Sequence, residues 1–364
     1  MSRGLARAIV LALALPALSP PARAVVDPQE AFADYKAGRY LEAATKFQAL
    51  VDRFPEYHYG FFMLGHCTLK RHAPARAEAL FRHAIELDPT RPDYYLGLAL
   101  ALADEASWVR TIQVLTDGLA HAEDPRMRYN LFLLRAEAWH ALQRWDQVVA
   151  DLEVARRIHQ DPAVFELLGK AYFGNGDAKA AIPPLQFALQ TSPDDTGVLR
   201  VLSESFIRVG AAEPDVVKKR IAYTQALEYA QRLAALTPDD LEVVHLVGRA
   251  ALGAGRLEQA ETVFLSVLER EPRQCYAMVN LGRTLFAARK YREAEAWLLR
   301  AKGCAPREAI VYETLGELYL KQSMTDEAAA AFGRANELSS DDASPLVRKP
   351  RPPRNGTISV SAPR

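Results

Sequence analysis

The chain has little cysteine, three residues in 364, and no excess of charge, since 45 Lys and Arg balance 45 Asp and Glu. A balanced composition generates no global field that would gather nucleic acid or an anionic membrane surface. Long apolar runs are missing too. The stretch from Ala8 to Leu18, interrupted by Pro16, falls well short of the roughly 20 apolar residues a membrane-spanning helix needs. There is no glycine-rich phosphate loop, no pair of histidines at helical spacing and no serine elbow. The densest metal-capable group is His58, His66, Cys67 and His72. No two of these stand three or four residues apart, so no helix face gathers them round one ion. These absences argue against an enzyme, a metal site or a cofactor, and they leave binding as the expected activity.

What is present is a period. Pro238, Pro272 and Pro306 stand 34 residues apart, as do Gly248, Gly282 and Gly316, and Ala260, Ala294 and Ala328. Phe264, Leu298 and Phe332 keep the step, with Val267, Ala301 and Ala335 three residues on. Within each period apolar residues recur at three- and four-residue spacing, which predicts amphipathic helices. Small residues let paired helices approach, large ones fill the gap to the next pair, and prolines end the second helix. A fixed 34-residue period of this kind predicts stacked helical hairpins, each covering its neighbour's open face.

These positions resemble the tetratricopeptide repeat. The same template can be laid on His58–Pro89 and Pro162–Pro193, and more loosely on the stretches between. The resemblance implies an all-α, right-handed solenoid of about nine hairpins over residues 25–340, acting as a protein-binding scaffold. Two departures are visible. Pro183 and Pro184 fall early in a second helix, where proline removes backbone hydrogen bonds and is expected to kink or delay it. Residues 211–220 are an insertion, expected to lengthen the following second helix into a ledge carrying Val217, Ile221 and Ala226.

The two ends differ from the repeats. Arg3 and Arg7, the apolar run and Ala22-Arg23-Ala24 are the pattern of a cleavable secretory signal over residues 1–24. The expectation is therefore an exported protein, periplasmic or extracellular. From 341 to 364 the chain is rich in Pro, Arg and Ser, the composition of a disordered tail. Export permits disulfides. Cys275 and Cys304 fall at one end of the same hairpin and are candidates for a bridge, with two reduced thiols as the alternative. Cys67 falls inside a helix, as a small buried hydrophobe would.

In the family, the second, fifth, ninth and twelfth places of each first helix line the inner, concave face. Here those places include Tyr59, Phe62, His66, Leu69, Leu96, Leu100, Leu133, His140 and Phe173, an apolar and aromatic groove. Further on they include Arg200, Glu204, His245, Arg249, Tyr276, Arg283, Phe286, Glu313 and Glu317, a mixed-charge groove. The expectation is that the first takes a partner's helix or extended segment and the second sets its register. For the charged part, the alternative is mutual neutralisation of Arg and Glu across repeats. The expected partners are proteins or peptide segments in an envelope or secretion assembly. The competing expectation is an envelope glycan or peptidoglycan module that uses the aromatic groove and the basic tail (Arg348, Lys349, Arg351, Arg354). The lysine and asparagine clamp by which some repeats of this family grip a chaperone's terminal carboxylate is absent.

Overall fold

A computed structural model describes residues 27–340 of the chain. The expected signal segment, 1–24, and the expected tail, 341–364, lie outside the described residues. Among those residues the chain forms eighteen α-helices and no strand. The hairpins are α1 (Pro28–Lys36) with α2 (Tyr40–Arg53), α3 (His58–Lys70) with α4 (Pro74–Leu87), α5 (Pro92–Asp104) with α6 (Trp108–His121), and α7 (Pro125–Ala141) with α8 (Trp145–Ile158). Next come α9 (Pro162–Gly174) with α10 (Ala178–Thr191) and α11 (Thr196–Ala212) with α12 (Val216–Leu236). The last three are α13 (Leu241–Gly253) with α14 (Leu257–Arg270), α15 (Cys275–Ala287) with α16 (Tyr291–Cys304), and α17 (Ala309–Lys321) with α18 (Thr325–Ser340). The chain divides into two compact units inside α9, one ending at Ala171 and the other beginning at Tyr172.

The first unit is built on rings. Phe47, Tyr59, Phe62, Phe81 and Tyr94 are buried in one cluster, and Leu96, Leu100, Leu115, Leu131 and Leu134 in another. Phe81 of α4 reaches this core because Gly65 and Gly97 make way for it. A Cβ at those positions would lie 2.8 and 2.5 Å from its ring. The helix α5 departs from the expected amphipathic pattern, with ten of its residues buried, from Asp93 to Ala103. Its neighbours α3, α4, α6 and α7 all pack on it. The acids buried in this interior are paired. Arg91 grips Asp93 through two bonds of 3.0 and 2.9 Å, and Arg135 grips Asp151 through bonds of 2.8 and 2.6 Å.

In the second unit Phe264, Leu298, Leu281, Leu315 and their neighbours form one continuous cluster, built from the residues that carry the 34-residue period. Gly248 stands where a Cβ would be 2.6 Å from the Phe264 ring, and Gly282 where it would be 2.7 Å from Leu298. The two prolines do not break α10, which runs unbroken through Pro183 and Pro184. The insertion is also shared differently from expectation. The sixth hairpin has helices of 17 and 21 residues, against 13 and 14 in the seventh. The excess of four plus seven accounts for the eleven-residue slip of Ala226 and Ala230 against the repeat. Asp215 breaks the two helices apart, its side chain accepting from the backbone N–H groups of Val217 and Lys218, as a strong N-cap does. Val216, Val217 and Ile221 are exposed on the resulting ledge, whereas Ala226 is buried.

The turn inside most hairpins needs one residue in the left-handed region. Glycine supplies it at Gly38, Gly176 and Gly255, but His72, Ala106, Gln143, Arg289 and Ser323 do so elsewhere, at a strain cost of about 1 kcal/mol each. His72, one of the four residues considered for a metal, is thus a turn residue. Among the described residues no group of three or more His, Cys, Asp and Glu is placed to hold a metal ion. No described helix is long and apolar enough to cross a membrane.

Candidate partner-binding face

The first-helix places expected to form an apolar, aromatic groove are largely buried. Tyr59 and Phe62 are inside the first unit's core, Phe62 with 0% of its surface exposed. Its ring packs on those of Tyr94 at 4.8 Å and Phe81 at 5.9 Å between centroids. His66 is enclosed by Phe62 at 4.5 Å and Phe81 at 5.0 Å. Leu96, Leu100 and Leu133 are buried as well, and so is Phe173 in the second unit. Only Leu69, half-buried, and His140, exposed against Trp145, remain near the surface. The correction has a simple cause. The large rings of Phe81 and Tyr94 come from the neighbouring helices and need partners of equal size. The aromatic residues therefore offer no platform to a glycan or a peptide.

The second unit differs. Arg200, Glu204, His245, Arg249, Tyr276, Arg283 and Phe286 are all half-buried, and Glu313 and Glu317 are exposed. They come from the first helices α11, α13, α15 and α17, at equivalent places in successive hairpins. At its centre Asn280, a residue the expected places omit, has its amide filled on every side. Its nitrogen donates to the Tyr276 carbonyl at 3.0 Å and to His245 Nε2 at 3.2 Å, and its oxygen accepts from Arg283 at 3.2 Å. Accepting at Nε2 requires a neutral imidazole. Burial, with Arg249 nearby, accordingly holds the His245 pKa down at about 4. The ring is further fixed between Phe264 and Tyr276.

Charge on this face is only partly neutralised. Arg200 pairs with Asp240 at 2.7 Å, the residue that caps α13. Arg208, also outside the expected places, lies with its guanidinium 3.9 Å from the centroid of Phe173. Its Nη1 donates to the Phe173 carbonyl at 3.5 Å. Burial raises the pKa of Glu204 and lowers those of Arg208 and Arg283, each shift disfavouring the charged form. Both Asn280 and Arg208 stand one step round the helix from a family place. The signal that could have found them is that adjacency.

Away from this face, Cys275 and Cys304 are joined, with Cα atoms 5.9 Å apart. They tie the start of α15 to the end of α16, and Cys67 is a buried free cysteine in α3.

Residues 29–92 and 246–309 match the family model described as Tetratricopeptide repeat. Over 267 residues the chain is 24% identical to superkiller protein 3 of Schizosaccharomyces pombe, covering 73% of this chain and 16% of that protein. Over 195 residues it is 24% identical to the BBSome complex member BBS4 of Bos taurus, covering 52% and 34%. The chain thus spans well under half the length of either relative. Among solved structures, the C-terminal part of a tetratricopeptide-repeat protein from Cytophaga hutchinsonii superposes with a TM-score of 0.52 at 15% identity, covering 70% of this chain and 99% of that one. A tetratricopeptide repeat protein from Parabacteroides merdae gives 0.50 at 14%, covering 68% and 93%. At such identities the likeness is one of fold.

Proposed function

The chain is an array of tetratricopeptide repeats, and on that premise we propose that it is a non-catalytic scaffold holding a segment of a partner protein. The segment lies against the first-helix face of the second unit. One observation carries the choice of face. The equivalent row in the first unit is mostly sunk in its core, whereas the second unit's row keeps arginine, imidazole, phenol and phenyl groups half-exposed on a stiff helical frame. Such groups give a bound segment both apolar contact and fixed hydrogen-bond partners, the combination that makes a specific peptide site. One relative is by name a member of a complex, which accords with a scaffold. The basic start, short apolar run and Ala22-Arg23-Ala24 support export, so the proposed setting is an envelope or secretion assembly.

The test is photo-crosslinking with a probe in place of Tyr276, compared with one in place of Leu299, which is exposed on the second helix α16. The reading expects protein adducts from the first position and few from the second. Adducts confined to Leu299 would move binding to the opposite face, and none at Tyr276 would end the scaffold reading for this face.

A further inference from the structure

We propose that the segment bound on this face is acidic, its carboxylates seated on the guanidinium groups of Arg208, Arg249 and Arg283. The inference rests on the scaffold reading above and names the chemistry of the ligand.

The chain's treatment of its other shielded arginines sets the standard. Arg91 has Asp93 at 2.9 Å, Arg135 has Asp151 at 2.6 Å, Arg156 has Glu153 at 2.7 Å and Arg200 has Asp240 at 2.7 Å, whereas Arg128 has a ring and a carbonyl. Four of these five guanidinium groups thus lie within an ion-pair distance of a carboxylate supplied by the chain itself. Arg208, Arg249 and Arg283 are equally withdrawn from solvent, yet none has a carboxylate within 4.0 Å among the described residues. Arg208 has a ring and a carbonyl, and Arg283 has the Asn280 amide oxygen. Arg249 has neither hydrogen bond nor ion pair there. Acids share the face, Glu204 and, near Arg283, Glu313 and Glu317, but none comes within an ion-pair distance of these three arginines.

This arrangement is costly by itself. Arg249 stands close enough to Arg208 and to Arg283 to disfavour the charge on both, and withdrawal from water adds to that. A cation held half-buried without its counter-ion is a site waiting for an anion, and a guanidinium takes a carboxylate in a two-bond fork. Spacing limits the ligand further. Arg249 and Arg283 occupy the same place on successive first helices, and packed helices lie about 8–10 Å apart. An extended chain advances about 3.3 Å per residue, so carboxylates every third residue match the two arginines. The chain's own tail, with Arg348, Lys349, Arg351 and Arg354, carries the wrong sign to be the occupant.

The experiment is fluorescence anisotropy on the full chain with a labelled twelve-residue peptide of Leu-Ser-Glu repeats, and with its Leu-Ser-Lys counterpart. The proposal expects the glutamate peptide to bind, weaken steeply between 50 and 300 mM salt, and lose at least tenfold in affinity in Arg249→Gln and in Arg283→Gln. Arg292→Gln, an exposed residue on the second helix α16, is expected to bind as the parent does. Circular dichroism of each variant verifies that the helices are kept. Equal binding of the lysine peptide, or unchanged affinity in both inner-face variants, would overturn the proposal. So would tighter binding of an oligonucleotide of equal charge, which would assign the arginines to phosphate. Failure here leaves the scaffold reading intact if the Tyr276 probe still captures a protein that excess glutamate peptide does not displace. Loss of capture at Tyr276 ends the scaffold reading for this face.

Discussion

His66 illustrates what a single residue does when the fold places it deeper than its helical position suggests. Its ring is 6% exposed, walled by Phe62, Phe81 and, at 6.4 Å, Tyr35, with Lys70 one turn away on the same helix. Burial first and the Lys70 charge second push its pKa down to about 3. The unfolded chain, with a histidine near 6.5, binds this proton far more readily than the folded one. Stability from the neutral ring is therefore complete above pH 6.5 and drains away as pH falls from 6.5 toward 3. The thermal midpoint is expected to drop across that interval, and His66→Gln, which takes up no proton, is expected to flatten the drop by a few kcal/mol at most. Parallel curves for the two proteins would show that His66 does not drive the acid limb. The sequence places His66 and Phe62 on an inner row of α3, and that is the right side of the helix. Depth is not legible there, because it depends on Phe81 arriving from α4 through the gaps left at Gly65 and Gly97 and on Tyr94 packing on Phe62 from α5.

At the scale of the helical element, the period reads well and its interruptions read poorly. Pro238, Pro272, Pro306 and the small residues in phase with them mark α13 to α18 closely. The 34-step fails at the sixth hairpin, because an insertion can lengthen either helix at little cost in loop entropy. Only the Asp215 cap decides that both grow. The left-handed turn residues are equally hidden, since His72, Ala106 and Arg289 carry none of the glycine signal that marks Gly38 and Gly255. The α15–α16 hairpin bears a prediction of its own. The bond between Cys275 and Cys304 closes a sequence separation of 29 residues, a loop whose closure is worth roughly 3–4 kcal/mol to the folded state. Reduction is expected to lower the urea midpoint of the second unit and to free two alkylatable thiols beyond the one at Cys67. Three thiols labelled in denatured, unreduced protein would rule the bridge out.

For the molecule as a whole, each hairpin is held mainly by its neighbours. Stability is then a sum of hairpin terms and interface terms and varies along the chain. Within the first unit the two extremes are α1 and α5. Only Ala31 and Asp34 are buried in α1, and it packs against α2. Ten residues are buried in α5, including Tyr94, Leu96, Leu98, Leu100 and Leu102, and it has helices on several sides. At about 1.5–3 kcal/mol for each large apolar side chain removed from water, opening α5 requires most of the unit to come apart. Opening α1 uncovers only Ala31 and the half-buried Phe32 and Tyr35 and breaks the Asp34 pairs with Arg39 and Lys46, which are partly solvated and weak. Native-state hydrogen exchange is therefore expected to show α1 amides exchanging through a small local opening, insensitive to low denaturant. The α5 amides are expected to exchange only through the unit's global unfolding, with a steep denaturant dependence. Equal protection in α1 and α5 would mean that the unit opens as one cooperative block, and the nearest-neighbour account of this array would then fail.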